Sequence, residues 1–406
     1  MPVQKRLLDS AESWDFASSN TQNATHGMHT WLAAMIPPLA RKLIDTTKPK
    51  ALLDPFCGGG SVCVEGVLQG CRTAGVEINP LGVIVTKAKT TYIERRLLEQ
   101  SLKDILSAAS EYNGPDLLYP DRAKSFLVHY WYKPYMLRPL SALANAINSV
   151  DREDVRTLYQ CVLSATARDV SLTYRNEIRL RRLEPDKFRA FNPKVMDRFL
   201  LRAHDSIQRV QKLPEHATAT VILGSVLSLP FDCDQFTTII CSPPYGDERN
   251  GVPYFQFAKN MLYWLGWDRK DLLKRKAQTL GWVGARRDIE CPDSGTLAKV
   301  IRNMGRGKRP ALEAVAFYRD YFEALKEMVR VTSEKIAIVV GNRVLNKNLI
   351  DNGKITTELL ERLGVRLETH HTRTLPSKRL PRLTSYGGGG IDKEHILIYD
   401  VSSKNV

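Results

Sequence analysis

The sequence DPFCGGGS, residues 54–61, comes directly after the apolar run ALLD, residues 51–54, and before a segment with the spacing of a helix. Three consecutive glycines can adopt positive φ angles and let the backbone approach a ligand without a Cβ atom in between. The spacing matches neither the G-x-G-x-x-G pattern nor the P-loop. The glycines therefore predict a ligand-binding loop after a strand, and a dinucleotide, a phosphate or an adenosyl group would each suit it.

Five further apolar or β-branched runs are similar to the first, and longer segments of helical spacing separate most of them. They cover residues 73–77, 220–223, 237–241, 335–340 and 395–400. Short continuous runs of this kind suit strands that are covered on both faces. Strands that alternate with helices predict a doubly wound, Rossmann-like α/β sheet, whose ligands bind beyond the carboxyl ends of the strands.

The second run ends in GVEINP, residues 75–80. Glu77 lies about twenty residues beyond the glycines, where an acidic side chain can accept hydrogen bonds from both hydroxyls of a ribose. The loop and the carboxylate together favour an adenosine-type cofactor. The cofactor residues that we predict from these two stretches are Asp54, Pro55, Phe56, Cys57, Gly58, Gly59, Gly60, Glu77 and Ile78.

The run TTIIC leads directly into SPPYGD, residues 242–247. Two adjacent prolines lack amide donors and fix the direction of their carbonyl oxygens, so this turn presents hydrogen-bond acceptors. Acceptors at Ser242 and Pro243 would each take a proton of an exocyclic base amine and draw its nitrogen towards tetrahedral geometry, while Tyr245 would stack on the extruded base. We predict that the catalytic residues are Ser242, Pro243, Pro244 and Tyr245.

Two gaps between the runs are too long to be simple crossovers. Residues 92–215 are almost wholly helical in pattern, and residues 246–330 begin with the amphipathic run FQFAKNMLYWLGW and end in another helix. We expect the catalytic domain in two parts, at 1–91 and at 216–406, with a large helical insertion at 92–215 and a basic insertion at about 246–330. The helical insertion would serve either target recognition or scaffolding.

Lysine and arginine outnumber aspartate and glutamate by 59 to 44, and the net charge is +15. Such a surface attracts polyanions, and each phosphate that is neutralised adds salt-dependent affinity. The basic residues gather in both insertions and before the last apolar run, where we expect a basic loop that includes Arg373. The nucleic-acid contacts that we predict are Arg175, Arg179, Arg181, Arg182, Arg286, Arg287, Arg306, Lys308, Arg309, Lys378 and Arg379.

DPFCGGGS, GVEINP and SPPYGD, in this order, resemble motifs I, II and IV of the amino-methyltransferases that modify DNA at cytosine N4 or adenine N6. The resemblance implies a mostly parallel sheet with an antiparallel last strand, S-adenosylmethionine as the cofactor and double-stranded DNA as the partner. In that family the serine form of the tetrapeptide occurs more often with cytosine N4. The resemblance therefore implies a site-specific cytosine-N4 methyltransferase of a restriction-modification or phage-defence system.

The same resemblance extends to two further segments. Residues 23–44 are similar to the segment that these enzymes place against the methionine part of the cofactor, which adds Thr25 and His26 to the predicted site. LGSVLSLPF, residues 223–231, resembles motif III, where the family commonly has an acidic residue that reaches the adenine. This chain has Ser225 at that position, so we also expect Phe231 to pack on the ring.

Several other functions compete with this hypothesis. Adenine-N6 methylation of DNA, methylation of an RNA base, and a DNA-binding scaffold without activity remain alternatives. Cytosine-C5 methylation would need a nucleophilic cysteine, usually after a proline, and the chain has no Pro-Cys pair. The seven cysteines are scattered without a C-x-x-C pair, which predicts reduced thiols and no metal site. Because we find no signal-peptide pattern and no long apolar stretch, we expect a cytoplasmic, nucleoid-associated protein without membrane contact.

Overall fold

The strands of the chain were located in a computed structural model, which describes residues 13–16, 19–174, 180–246, 254–282, 290–375, 393–402 and 404. Within these residues the strands are β1 (Ala51–Asp54), β2 (Arg72–Glu77), β3 (Thr220–Leu223), β4 (Phe236–Cys241), β5 (Thr332–Gly341), β6 (Arg343–Leu345), β7 (Asn348–Ile350), β8 (Arg366–Thr374) and β9 (Lys393–Asp400).

Seven of these strands form one sheet, in the order β3-β2-β1-β4-β5-β9-β8, while β6 and β7 pair with each other. Strands β1 to β5 are parallel to their sheet neighbours within that group. The last strand, β9, is antiparallel to both β5 and β8. This arrangement confirms the predicted doubly wound, mostly parallel sheet with an antiparallel last strand.

All six apolar runs lie within strands of the seven-stranded sheet, and among its described strands they did not predict β8; they also did not predict the short strands β6 and β7. The sequence of β8, RLETHHTRT, alternates between exposed residues and half-buried ones, apart from the buried Arg373. It lies at the edge of the sheet, so its side chains are not covered on both faces as those of the central strands are. An edge strand of this kind lacks the continuous apolar run on which the prediction depended.

Helices cover both faces of the sheet and form a block beside it. A 3-10 helix spans Ala24–Met28. The α-helices are α1 (Pro37–Thr47), α2 (Ser61–Leu68), α3 (Pro80–Thr90), α4 (Arg95–Ser110), α5 (Pro120–Phe126), α6 (Val128–Trp131), α7 (Pro134–Asn148), α8 (Glu153–Val170), α9 (Pro185–Ala190), α10 (Val195–Val210), α11 (Tyr254–Trp264), α12 (Arg269–Lys276), α13 (Gly295–Met304), α14 (Arg309–Val331) and α15 (Asn352–Glu361).

The two insertions share one apolar core. Helix α8 is buried along most of its length, and large side chains such as Tyr159 and Phe199 fill the space around it. Helix α11, from the second insertion, packs its Phe257 and Trp264 into this same cluster. The helical pattern of both segments is therefore confirmed, whereas the domain boundaries remain predictions. None of the described helices is both long and apolar enough to cross a bilayer.

Candidate active site

The glycine loop and the SPPY tetrapeptide emerge side by side at one edge of the sheet. Strands β1 and β4 are parallel neighbours, with Leu52 opposite Thr238 and Leu53 opposite Ile239. The glycine loop begins after β1, and the tetrapeptide begins directly after β4. Because both strands run in the same direction, the two loops share the carboxyl edge, where doubly wound sheets bind their ligands.

The three glycines let their loop pack closely against protein side chains. A Cβ atom on Gly58 would lie 2.7 Å from Trp31 Nε1, and one on Gly59 would lie 2.5 Å from Trp31 Cβ. A Cβ atom on Gly60, at φ +83°, would lie 2.8 Å from Thr86. The space beyond these glycines is thus filled by Trp31 and by helix α3. Sequence reasoning identified the glycines but gave no indication that Trp31 covers them.

Glu77, at the end of β2, is fixed beside the glycine loop by two backbone donors. Its Oε2 accepts a hydrogen bond from the amide of Gly58 at 2.9 Å, and its Oε1 accepts one from the amide of Asn79 at 2.7 Å. Burial raises the pKa of this carboxyl to about 6, against those two hydrogen bonds. Each carboxylate oxygen can still accept a further bond, which fits the two hydroxyls of a ribose.

Half-buried apolar side chains line the edge between β1 and β3. Phe56, Leu227 and Phe231 pack against the core without being enclosed by it. Ser225 Oγ accepts a hydrogen bond from the amide of Leu227 at 3.3 Å. An adenine ring suits the partly exposed apolar surface of Phe56 and Leu227. The Phe231 ring, in contrast, meets Phe236, the first residue of β4, edge to face at 4.9 Å. Phe231 therefore lies towards the amino end of the strands, away from Glu77, which corrects the expectation that it packs on the adenine.

Asp54 ends β1 beneath this loop and is buried. Its carboxylate accepts a hydrogen bond from the amide of Phe56 at 3.0 Å. Burial raises the pKa of Asp54 to about 8, and the nearby Glu77 carboxylate adds to that rise. A cation bound nearby would favour the ionised form of Asp54, as the ammonium group of a methionine moiety would.

Thr25 and His26 are engaged with the protein around the loop. Thr25 Oγ1 donates to the carbonyl of Lys89 at 2.7 Å, and His26 Nε2 lies 2.9 Å from the buried carboxylate of Glu65. Lys89 in turn donates from Nζ to the carbonyl of Gly59 at 3.1 Å, and burial lowers its pKa to about 8. These bonds attach the 3-10 segment to the glycine loop, and direct contact of Thr25 or His26 with a cofactor remains a prediction.

A chain of hydrogen bonds extends from Ser242 to the last strand. Ser242 Oγ lies 3.3 Å from Tyr245 Oη, and Tyr245 donates its hydroxyl proton to Glu394 Oε1 at 2.9 Å. Burial and the Glu394 carboxylate raise the Tyr245 pKa well above its usual value. Since the one Tyr245 proton is given to Glu394, the Ser242 hydroxyl donates to Tyr245 and keeps its lone pairs for another donor.

Arg373 completes this chain and corrects one expectation. It was expected in a basic loop, but it lies in β8, where it is buried. Its Nε donates to Glu394 Oε2 at 2.7 Å. The two residues are direct partners across the antiparallel β8–β9 pair. Arg373 is therefore part of the catalytic edge, and neither its role nor that of Glu394 was indicated by the sequence.

The structure describes some of the residues that we predicted to contact nucleic acid, and others lie outside the described residues. Arg181 is exposed, with its guanidinium 4.3 Å from the ring centre of Tyr174. Arg182 lies over Tyr130 at 4.4 Å and over Phe188 at 5.0 Å, so its guanidinium is already held between two rings. Outside the described residues lie Arg175, Arg179, Arg286, Arg287, Lys378 and Arg379.

Arg306, Lys308 and Arg309 lie at or just before the start of α14. This helix ends directly before β5, and its 23 residues give it a length of roughly 34 Å. Strand β5 then runs back in the opposite direction to the helix, and its 10 residues span roughly 33 Å. The start of α14 is therefore at the same end of the sheet as the SPPY tetrapeptide.

No family model matches the chain. Over 94% of its length it is 30% identical to the type II methyltransferase M.MvaI of Kocuria varians, of which it covers 91%. The chain belongs to the type II methyltransferase family. As a member of this family it is a DNA methyltransferase, and S-adenosylmethionine is its methyl donor.

A more distant sequence relative carries the same family name. The type II methyltransferase M.BsoBI of Geobacillus stearothermophilus is 23% identical over 80% of this methyltransferase and 64% of its own length. Among solved structures, the rRNA methyltransferase aviRa of Streptomyces viridochromogenes aligns at a TM-score of 0.31 and 8% identity, over 93% of this chain and 90% of that one. That likeness is too low to bear on the substrate.

We predict that Gly59→Ala destabilises this methyltransferase by about 1–3 kcal/mol, because the added methyl group would overlap Trp31. Urea unfolding measures the change in the free energy of unfolding. Gly295→Ala is the matched control, since a Cβ atom there meets open space. In a Trp31→Gly background, which also removes the Trp31 Cβ atom, the cost of Gly59→Ala should fall, and an unchanged cost would show that Trp31 is not its cause.

The affinity for S-adenosylmethionine should fall more steeply below about pH 6, where the Glu77 carboxylate becomes protonated and loses acceptor capacity, than above it, where of these two carboxyls only Asp54, with a pKa of about 8, gains a proton. Calorimetric titrations at pH 5 to 7.5 measure the dissociation constant. Glu77→Gln should bind about tenfold more weakly at pH 7.5, as expected for the loss of bonds to a charged acceptor. It should also show a smaller change between pH 7.5 and 5, and identical pH profiles would remove Glu77 from the site.

Proposed function

We propose that this methyltransferase transfers a methyl group from S-adenosylmethionine to the exocyclic N4 amine of a cytosine extruded from double-stranded DNA. We further propose that it acts at a specific sequence, within a restriction-modification or phage-defence system. The observation that carries the proposal is the Ser242 hydroxyl, whose proton is directed to Tyr245 and whose lone pairs are left for a donor. The serine form of the tetrapeptide favours cytosine over adenine as the target.

The tetrapeptide would act on the amine through its acceptors. S-adenosylmethionine supplies an electrophilic methyl group at the carboxyl edge of β1. The lone pair of an exocyclic base amine is delocalised into the ring, so the amine is a poor nucleophile. Hydrogen bonds to Ser242 Oγ and to the Pro243 carbonyl would localise that lone pair on nitrogen. The nitrogen would bond to the methyl carbon as the carbon–sulfur bond breaks, S-adenosylhomocysteine would leave with that electron pair, and the proton that the amine releases would pass from these acceptors to water. Pro244 keeps the carbonyls in a fixed direction, because its ring restricts the backbone.

Tyr245 would hold the base while these bonds form. Its hydroxyl is tied to Glu394, which fixes the ring plane, and stacking on that ring offsets part of the cost of extrusion. Glu394 and Arg373 touch neither the base nor the methyl donor in this proposal. They are positioning residues, which keep the Tyr245 proton away from Ser242.

The cofactor would lie across the ends of β1, β2 and β3. We propose that Glu77 receives the ribose and that the half-buried side chains beside it receive the adenine, with Asp54 near the methionine ammonium. The remaining residues that we propose for this site are Pro55, Phe56, Cys57, Gly58, Gly59, Gly60, Ile78 and Ser225, with Thr25 and His26 supporting the loop. The exposed basic residues Arg181, Arg306, Lys308 and Arg309 would contact phosphates.

Mass spectrometry of nucleosides tests the base and the polymer together. Plasmid DNA and ribosomal RNA are incubated separately with the enzyme and labelled S-adenosylmethionine, and then digested. We expect labelled N4-methyl-2′-deoxycytidine from DNA and no labelled nucleoside from RNA. The control is Ser242→Ala. Labelled N6-methyl-2′-deoxyadenosine would contradict cytosine as the target base, and label confined to RNA would contradict DNA as the substrate.

The Ser242 to Glu394 chain predicts graded effects on kcat. Ser242→Ala should lower kcat about 100-fold or more, as the loss of a transition-state hydrogen bond commonly does. Tyr245→Phe keeps the ring but leaves the Ser242 proton free to point at the amine. We therefore expect kcat to fall about tenfold, which corresponds to a rise of roughly 1.4 kcal/mol in the activation free energy.

The matched control is Tyr399→Phe, which removes another buried tyrosine hydroxyl, 2.9 Å from Thr357 Oγ1. Dissociation constants for S-adenosylmethionine should stay unchanged in all three variants. Full activity in Tyr245→Phe would show that the hydroxyl does not orient Ser242.

A further inference from the structure

A short hairpin stands beside the catalytic tetrapeptide, and nothing in the proposed function uses it. Strands β6 and β7 follow β5 directly and pair antiparallel from Arg343 opposite Ile350 to Leu345 opposite Asn348. Asn346 and Lys347 join them, with φ angles of +49° and +64°. Two residues at positive φ form the type I′ turn of a tight hairpin, so residues 343–350 project as one ordered unit.

The base of this hairpin is fixed to the catalytic loop. Asn352 donates from Nδ2 to the carbonyl of Tyr245 at 3.2 Å and to the carbonyl of Gly341 at 2.8 Å. Its backbone amide donates to Asn342 Oδ1 at 3.0 Å. Arg343 is buried, and its guanidinium packs closely against Gly246. A Cβ atom on Gly246 would lie only 2.8 Å from Arg343 Nη1. The hairpin is therefore held in a defined position next to the residue that would stack on the base.

The outer part of the hairpin presents an apolar side chain beside a positive charge. Leu349 exposes 62% of its surface, more than any other large apolar side chain that the described residues expose. Lys347 is exposed at the turn, whereas Ile350 is buried and secures the second strand. An exposed leucine on a fixed element next to a catalytic loop is a feature of a contact surface.

Several exposed basic residues lie on the elements around the hairpin, which favours a polyanion as its partner. Helix α13 packs against β7, and Arg306 and Lys308 follow at the exposed turn between α13 and α14. Lys354, in the first turn of α15, is exposed as well. Proteins that distort a duplex insert leucine and similar side chains between base steps while basic residues contact the phosphates. Duplex DNA thus matches both the charge and the apolar tip.

We propose that the hairpin of residues 343–350 enters the duplex beside the target base, and that Leu349 occupies the gap that the extruded base leaves in the stack. Lys347 at the turn would contact a phosphate of the same step. This inference rests on base extrusion as part of the proposed function, but it holds whether the extruded base is cytosine or adenine.

Methylation of two matched duplexes tests this role. The methylated site is first mapped by sequencing plasmid DNA that the wild type has modified. One oligonucleotide duplex carries this site fully paired, and the other has an abasic position opposite the target base, which lowers the cost of extrusion. Leu349→Ala should lose about tenfold in kcat/KM on the paired duplex and less than twofold on the unpaired target.

The matched control is Leu201→Ala, which removes a leucine that is 59% exposed on α10 and should change neither substrate. Calorimetry with S-adenosylmethionine confirms that each variant is folded. Equal losses on both duplexes, or no loss on either, would overturn the inference. The methylated nucleoside is identified in the same reactions. N6-methyladenine would refute the cytosine assignment, while the ratio of kcat/KM on the two duplexes would still report on the role of Leu349.

Discussion

The parallel pairing of β1 with β4 is the constraint on which the site depends. The helical block and two further strands separate these two strands in sequence, yet the sheet places their carboxyl ends next to each other. Glu77 then lies on one side, at the end of β2, and the β6–β7 hairpin lies on the other, after β5. The cofactor loop, the acceptors for the base and the hairpin are thus brought to one edge by backbone hydrogen bonds that are far from the chemistry.

A second constraint comes from the antiparallel strand. A serine hydroxyl can donate or accept, and only an acceptor would activate an amine. The pairing of β9 with β8 and β5 puts Glu394 and Arg373 within reach of Tyr245, and the resulting chain of bonds determines where the Ser242 proton points. Bonds of this kind to charged groups contribute about 1.5–3 kcal/mol each, enough to keep one orientation. Residues on the two antiparallel strands thereby determine whether Ser242, at the end of a central strand, can act as an acceptor.

The sequence predicted the parts of the fold whose pattern is local. Buried parallel strands are continuous apolar runs, and residues 51–54 and 237–241 were identified in this way, whereas the polar edge strand β8 was not. The glycines of the loop were recognised, but Trp31 above them comes from a segment without a periodic pattern. Glu394 is 149 residues from Tyr245, and a contact over that separation leaves no sign in a single sequence. Packing of α11 against the first insertion is a tertiary contact of the same kind.

We propose above all that Ser242 and Pro243 accept hydrogen bonds from the target amine beside the glycine loop. A crystal structure with S-adenosylhomocysteine and a duplex that contains the mapped site measures this directly. We expect the cytosine N4 atom within about 3.2 Å of both Ser242 Oγ and the Pro243 carbonyl oxygen, with the Tyr245 to Glu394 bond intact. A target amine bound elsewhere, or a Ser242 hydroxyl that donates to the base, would refute this role of the tetrapeptide.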